Sequence, residues 1–210
     1  MVYYITSNIV DPPVTLFMGE DKHENEELIR WGWPEDVWFH VDKLSSAHVY
    51  LRLRPGETLD SVPSVIIDEA CQLVKDNSIQ GRKMASVDVV YTLWSNLKKT
   101  PGMEVGQVGF HVDKDVKLVK NVPKRTEICK RLEKTKSENM KLDFRTLREE
   151  RDAKERAQLR EKERKAREHE KVLEKKRAEE AELKNYTSLM KTENMKTNQD
   201  NSGSDSDDFM

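Results

Sequence analysis

Residues 36–54 read DVWFHVDKLSSAHVYLRLR, and this stretch decides the fold. Val37, Phe39 and Val41 alternate with Trp38, His40 and Asp42; past the polar segment that follows, Val49, Leu51 and Leu53 alternate with His48, Tyr50, Arg52 and Arg54. Successive side chains of an extended chain point to opposite faces, so a period of two predicts two strands, each with an apolar face turned to a core. Pro55-Gly56 ends the second strand in a turn.

Upstream, the Pro12-Pro13 break precedes Val14 to Met18, a third strand ending at Gly19, and the acidic run Glu20 to Arg30 reads as a short helix or a loop. Downstream the period changes. Ile66, Ile67, Ala70, Cys71 and Val74 recur at helical spacing within Ser61 to Asn77, with Asp60 or Ser61 as N-cap and Pro63 in the first turn. One apolar stripe implies that this helix packs on a sheet. Ser86 to Trp94 is again extended, and Val105 to Val112 with Asp115 to Val119 predicts a closing hairpin, linked by the basic loop Lys98-Lys99-Thr100-Pro101-Gly102. The expectation for residues 1–122 is an α+β domain: an antiparallel sheet packed with helices.

Residues 123–190 read differently. No Gly or Pro occurs from Lys124 to Ser202, and from Thr126 to about Met190 composition predicts one long charged helix, on the order of 100 Å at about 1.5 Å per residue. Pairs such as Glu150/Lys154 and Glu161/Lys165 at i,i+4 stabilise a solvated helix by about 0.2–0.5 kcal/mol each. Leu159, Ala166 and Leu173 follow a seven-residue step, but Asp152 and Glu180 flank them, so the coiled-coil seam is weak and self-association is only thinly supported. Residues 191–210 have nothing to bury and read as a disordered acidic tail, in which Ser202 and Ser204, each with an Asp three positions on, are candidate phosphorylation sites.

The near-neutral total charge of −2 conceals three zones. Residues 1–119 hold 12 Lys/Arg against 18 Asp/Glu, residues 120–184 hold 23 against 16, and residues 185–210 hold 2 against 5. A polyanion would therefore be held mainly through the middle zone. Two cysteines, Cys71 and Cys129, without metal or disulfide spacing point to a reduced intracellular protein. The longest stretch free of Asp, Glu, Lys and Arg is Met1 to Val10, too short to cross a bilayer, and no secretory signal is visible. No nucleophile elbow, Gly-rich phosphate loop or metalloprotease motif occurs, so no catalytic residue, metal or cofactor is expected, and the chain is expected not to be an enzyme.

The candidate binding face is the polar side of the second strand. His48, Tyr50, Arg52 and Arg54 interleave aromatic and cationic groups that could stack a base and hold phosphates; the plainer reading is a solvated sheet face. His40 and His48 flank the Ser45-Ser46 turn, either as a hydrogen-bonded pair or as a proton-transfer or metal site, although no carboxylate or thiol at ligand spacing completes the latter. Lys98 and Lys99, with Lys124, Arg125, Lys130 and Arg131, are further candidate nucleic-acid contacts. Trp31, Trp33 and Trp38 cluster around Pro34 as core or as a recognition platform.

Several ordered motifs resemble the NFACT-R domain, the RNA-binding-type module of the ribosome-quality-control factors of the NFACT family. They are Asp36-Val37-Trp38-Phe39-His40, Ser45-Ser46-Ala47-His48-Val49-Tyr50-Leu51-Arg52, the upstream Gly19, Asn25 and Leu28, Val87-Asp88-Val89-Val90-Tyr91-Thr92, and Lys98 to Met103 with Pro101-Gly102. The chain departs from the large members in lacking their N-terminal NFACT-N and helix-hairpin-helix regions, so tRNA handling and peptide tailing are not carried over. Ser45-Ser46 also stands where relatives tend to have a Gly.

The resemblance implies non-catalytic nucleic-acid binding, with RNA or a ribosomal particle as partner; to this the reading of the residues adds His40 orienting the turn, the charged helix as an arm for protein partners, and a cytoplasmic location. The alternative is a DNA-binding sensor or adaptor that recruits signalling or cytoskeletal proteins through the helix, in the nucleus or peripherally at a membrane.

Overall fold

The computed structural model describes residues 1–139 and 143–184. The alternation in residues 36–54 becomes two neighbouring antiparallel strands, β3 (Asp36–Val41) and β4 (Val49–Arg52), with Trp38 opposite Tyr50 and Phe39 opposite Val49. Around them β1 (Val2–Ser7), β2 (Val14–Gly19), β5 (Ser86–Leu93), β8 (Lys117–Pro123) and β9 (Lys136–Asn139) complete a seven-stranded antiparallel sheet in the order β8-β5-β3-β4-β2-β1-β9. A small hairpin pairs β6 (Leu97–Lys98) with β7 (Gly109–Phe110).

The central strands of the sheet are buried on both sides. On one face Ile5, Leu16, Val37, Phe39, Val49, Leu51 and Val89 meet Ile66, Ala70, Cys71 and Val74 of α2 (Ser64–Asp76) and Leu132 of α3 (Thr126–Glu133). On the other, Val2, Phe17, Trp38 and Tyr50 form a second apolar cluster beneath Leu28 of α1 (Lys22–Trp31), Trp94, Leu97 and Phe110 of the hairpin, and Phe144. Two glycines permit these approaches. A Cβ on Gly19 would stand 2.7 Å from Asn25 Oδ1, and one on Gly32 would stand 2.2 Å from the Trp94 indole nitrogen, so a side chain at either position would force α1 or Trp94 off the sheet. Asp21 caps α1, its carboxylate accepting from the His23 and Glu24 amides at 2.8 Å.

Three sequence-based expectations are corrected. Val105 to Val112 and Asp115 to Val119 do not pair with each other: Gly109 and Phe110 pair with Leu97 and Lys98, and β8 adds to β5 at the sheet edge. The α2 helix begins one residue after Pro63, later than the expected Asp60 or Ser61 cap. The helix expected from Thr126 is interrupted. α3 ends at Glu133, and the polar Lys136–Asn139 returns as β9 on β1.

Tertiary contacts account for the break. Leu132 is 1% exposed in the core, while polar side chains of α2 tether the segment: Gln72 donates to the Pro123 carbonyl and accepts from the Arg125 amide, and Lys75 donates to the Ala85 and Val122 carbonyls. Helix propensity yields to this packing and to closure of the open β1 edge.

The long helix, α4 (Phe144–Lys184), starts at an Asp143 cap that receives the Arg145 and Thr146 amides. By contacts the chain divides into a unit ending at Arg151 and a second beginning at Asp152. Within the first, Arg145 and Arg148 lie over Trp31 and Trp94, Arg148 donates to the Gly32 carbonyl, and Arg151 forms a two-bond pair with Glu35 at 2.9 and 3.1 Å. Beyond Arg151 the helix is solvated by charge, and Leu159, Val172 and Leu173 are exposed. The expected helix end near Met190, the acidic tail, and Ser202 and Ser204 lie outside the described residues. No helix among the described residues is long and apolar enough to cross a membrane.

Candidate nucleic-acid interface

The polar side of β4 does not form an open stacking surface. Tyr50 has no exposure, and its phenol, pushed well up by burial, has no hydrogen-bond partner among the described residues. His48 is 4% exposed, and its Nδ1 accepts from the Trp38 indole N–H at 2.7 Å. Burial, the neighbouring His40 and Lys99 hold its imidazole down to about 3, against an opposing hydrogen bond with the Gly106 backbone. The expectation that His48 and Tyr50 present themselves to a base is thus corrected: both are amphipathic residues whose rings belong to the second apolar layer.

At the two ends of this buried row, side chains come back to the surface. One end holds Arg52. Asp36 is fully buried at the start of β3, and its carboxylate takes Arg52 Nε at 2.8 Å, Arg52 Nη2 at 3.1 Å and the Trp33 amide at 2.9 Å. Burial raises the Asp36 carboxyl, while Arg52 pulls it down. The guanidinium lies 3.6 Å from the centroid of the Trp33 ring and 5.1 Å from that of Phe17. Pinned along its inner edge by a carboxylate and on its face by an indole, Arg52 keeps Nη1 and the outer Nη2 hydrogen for another acceptor, its side chain being 37% exposed.

Arg54 stands two residues on, donating to the Pro12 and Pro13 carbonyls at 2.7 and 3.0 Å. Arg52, Arg54 and Trp33, with Pro12, Pro13 and Val62, line a groove of about 570 Å³. Of the acids in its lining, Glu35 is engaged by Arg151 and Glu57 by the Arg54 amide, while Asp11 stands exposed at the Pro12 side.

The other end holds the two histidines. Their rings stand 4.9 Å apart, edge to face, and His40 stacks parallel to Trp38 at 5.4 Å. His40 Nδ1 lies 2.7 Å from the Val41 carbonyl, which can only accept, so the neutral ring carries its hydrogen there and leaves Nε2 as a lone pair. Burial lowers the His40 pKa. Among the described residues no cluster of three or more His, Cys, Asp or Glu could hold a metal ion.

The remaining candidate cations separate into bound and open. Lys99 is spent inside the fold, its ammonium on Glu26 at 2.9 Å and on the Glu104 and Gln107 carbonyls, an arrangement that fixes the loop after β6 against α1. Arg125 pairs with Asp68 and Arg131 with the buried Glu69, both on α2, so these two tether α3 rather than standing open. Lys98, Lys124 and Lys130 are exposed. Sequence reasoning missed Asp36 and the Pro12-Pro13 carbonyls as organisers of the arginines. An acid at the first position of a strand, opposite an Arg in the next strand, was the available signal.

Residues 1–112 match the model of the NFACT protein RNA binding domain. The chain is 56% identical over 210 residues to coiled-coil domain-containing protein 25 of Danio rerio and 55% identical over 210 residues to its homolog in Dictyostelium discoideum, covering 100% of both chains in each case. It is also 41% identical over 143 residues to Protein JLP2 of Saccharomyces cerevisiae, covering 66% of this chain and 69% of that protein. Every motif from Gly19 to Met103 that carried the resemblance falls inside the matched residues, and the buried Trp38, His48 and Tyr50 are the packing that those motifs encode. The chain therefore belongs to the NFACT RNA-binding domain family.

Proposed function

We propose that the protein is a non-enzymatic reader of single-stranded RNA that engages the phosphate backbone at the Arg52–Arg54 groove. The observation that carries this reading is Arg52 itself, a guanidinium held flat on Trp33 by a buried carboxylate with its outer edge left to a groove, in a chain whose first 112 residues match an RNA-binding family. A preorganised guanidinium loses little freedom when it takes a phosphate oxygen, and Trp33 adds apolar surface beside it. Lys98, Lys124 and Lys130 supply exposed charge that raises the rate of encounter. The solvated part of α4 suits an arm laid along a large partner, which supports a ribosomal particle as the place where the RNA is met.

The test is the salt dependence of binding. Full-length protein is titrated with a fluorescent single-stranded RNA between about 50 and 200 mM salt, where each phosphate contact contributes a slope of about −0.7 in log K against log salt. Lys98→Gln, outside the groove, serves as the separate comparison for exposed charge, and Arg54→Gln is expected to reduce the slope by about one contact. An unchanged slope removes the groove from the interface. Matched DNA competing as well as RNA would favour the adaptor reading, because phosphate contacts do not distinguish the two.

A further inference from the structure

At the histidine end of the buried row, β3, the turn after it and the loop leading into β7 enclose a separate pocket of about 220 Å³. Its chemistry differs from that of the arginine groove. Phe110, edge-on at 65° to the buried Trp38, supplies the flat wall, and His40, parallel to Trp38 within 4°, turns its ring edge to the pocket. The polar edge comes from His40 Nε2, which makes no hydrogen bond among the described residues, from the half-buried Asp42 carboxylate, whose Oδ2 lies 3.5 Å from the ammonium of Lys43 at the pocket rim while Oδ1 is left to accept, and from Gln107. Gln107 Oε1 is already taken by the Glu104 amide, so that side chain offers only its donors to the pocket.

The wall is also preformed. Glu26 accepts the Gly106 amide at 3.0 Å and Lys99 at 2.9 Å, which ties the loop carrying Gln107 to α1, and Gly106 sits at φ +81, a conformation natural to glycine. A water takes about 30 Å³, so the volume equals about seven waters, below the range of roughly 300–1,000 Å³ for drug-sized ligands and suited to one flat heterocycle.

We infer that this pocket takes one unstacked nucleobase of the bound RNA, read through two acceptors, His40 Nε2 and the Asp42 carboxylate, set against a stacking wall. Adjacent acceptors call for a base with adjacent N–H donors, which guanine carries on its N1 and N2 edge. The inference rests on the RNA-binding reading and deepens it. The groove holds the backbone without regard to sequence, and the histidine pocket selects a base.

Two measurements on the full-length chain test it. In the first, the imidazole nitrogens of ¹⁵N-labelled protein are followed by NMR while nucleoside 5′-monophosphates or ribose 5-phosphate are added. GMP is expected to move the His40 Nε2 resonance most and ribose 5-phosphate to leave it in place. In the second, binding of a G-containing RNA is compared with the same RNA carrying one abasic site in place of G, in wild type and in Asp42→Asn, which removes the charge beside His40 and the exposed Lys43 and breaks no side-chain hydrogen bond among the described residues.

Wild type is expected to prefer the intact strand by about tenfold, and the variant to lose most of that preference while keeping the wild-type salt slope. No response at His40 to any nucleotide, an equal response to ribose 5-phosphate, or a stronger response to another base than to guanine overturns the pocket and leaves salt-dependent RNA binding standing. Failure of every oligomer to bind at low salt overturns the RNA reading and the pocket with it.

Discussion

Truncating Arg52 to Ala should destabilise the fold in a pH-dependent way, because its partner cannot reach water. Asp36 is fully buried, and once the guanidinium is gone its carboxylate keeps only the Trp33 amide. Breaking a buried ion pair costs about 3–5 kcal/mol. With the Arg52 side chain 37% exposed the pair is partly screened, so about 2–3 kcal/mol is expected near neutral pH.

The pH dependence follows from Asp36. Burial already raises its carboxyl above the unfolded value, so the native state holds the proton more tightly than the unfolded chain does. This group's contribution to stability therefore rises as pH falls through its native pKa. Removing Arg52 removes the downward pull and moves that window to higher pH. In acid the carboxyl becomes neutral, and the deficit should shrink to the lost stacking on Trp33, about 1 kcal/mol.

Urea unfolding followed by far-ultraviolet circular dichroism, at pH 7.5 and pH 5, measures both. At a slope of about 2 kcal/mol per molar urea, the variant midpoint should fall by about 1 M at the higher pH and clearly less at the lower. An equal deficit at both pH values, or one below about 0.5 kcal/mol throughout, refutes the assignment of Asp36 as the stranded charge. Charge reversal at Arg52 confounds folding with RNA contact for the same reason, which is why Arg54 and Lys98 are the residues to substitute in the binding assay.

The break after α3 is tested by Leu132→Ala, which should cost about 2–4 kcal/mol in urea unfolding; Leu159→Ala, 56% exposed on α4, should change stability by less than about 0.5 kcal/mol. Equal small effects would restore a single helix from Thr126. His48, buried neutral with its pKa depressed to about 3, contributes stability that is intact above the unfolded value near 6.5 and is lost as pH falls below it. Wild-type stability should therefore decline below pH 6.5 with a slope approaching about 1.4 kcal/mol per pH unit from this group, and His48→Gln should flatten the curve. Gly32→Ala sets a methyl against the Trp94 indole and the Leu28 carbonyl, so thermal unfolding should show a loss of at least about 1–3 kcal/mol; an unshifted midpoint would mean that Trp94 repacks freely.

What could be read from the sequence was whatever repeats within one element. β2, β3, β4, α2 and β5 follow from local periodicity and turn residues, because each buries at least one regular face. β9 could not be read: Lys136–Asn139 carries no strand signal and exists because β1 leaves an edge to be paired. The two-residue strands β6 and β7 are likewise defined by each other. The site was half legible. Arg52 and Arg54 stood out as cations on an alternating strand, but alternation reports only that two faces differ. It does not distinguish water from a second apolar layer when the second set is His, Tyr and Trp, whose rings suit one and whose polar tips suit the other.

That double burial determines where recognition can occur. The central strands, covered by α2 and α3 on one side and by α1, the β6–β7 hairpin and Phe144 on the other, present no open face on which a strand of bases could lie, as it would on a solvent-facing sheet. Only the margins of the second layer remain, and there the same row of side chains emerges with two chemistries. At the Asp36 end a guanidinium is partly exposed with its carboxylate behind it; at the far end of β3 a half-buried neutral imidazole has its donor nitrogen already spent on the backbone. The first suits an anion and the second a donor-bearing ring. Four residue steps along the chain, about 13 Å at 3.3 Å each, separate Arg52 from His48. No single nucleotide meets both ends, so the rigid Trp38–Tyr50 layer between them serves as a spacer. In the proposed reading, its burial holds the backbone contact and the base contact at a fixed separation.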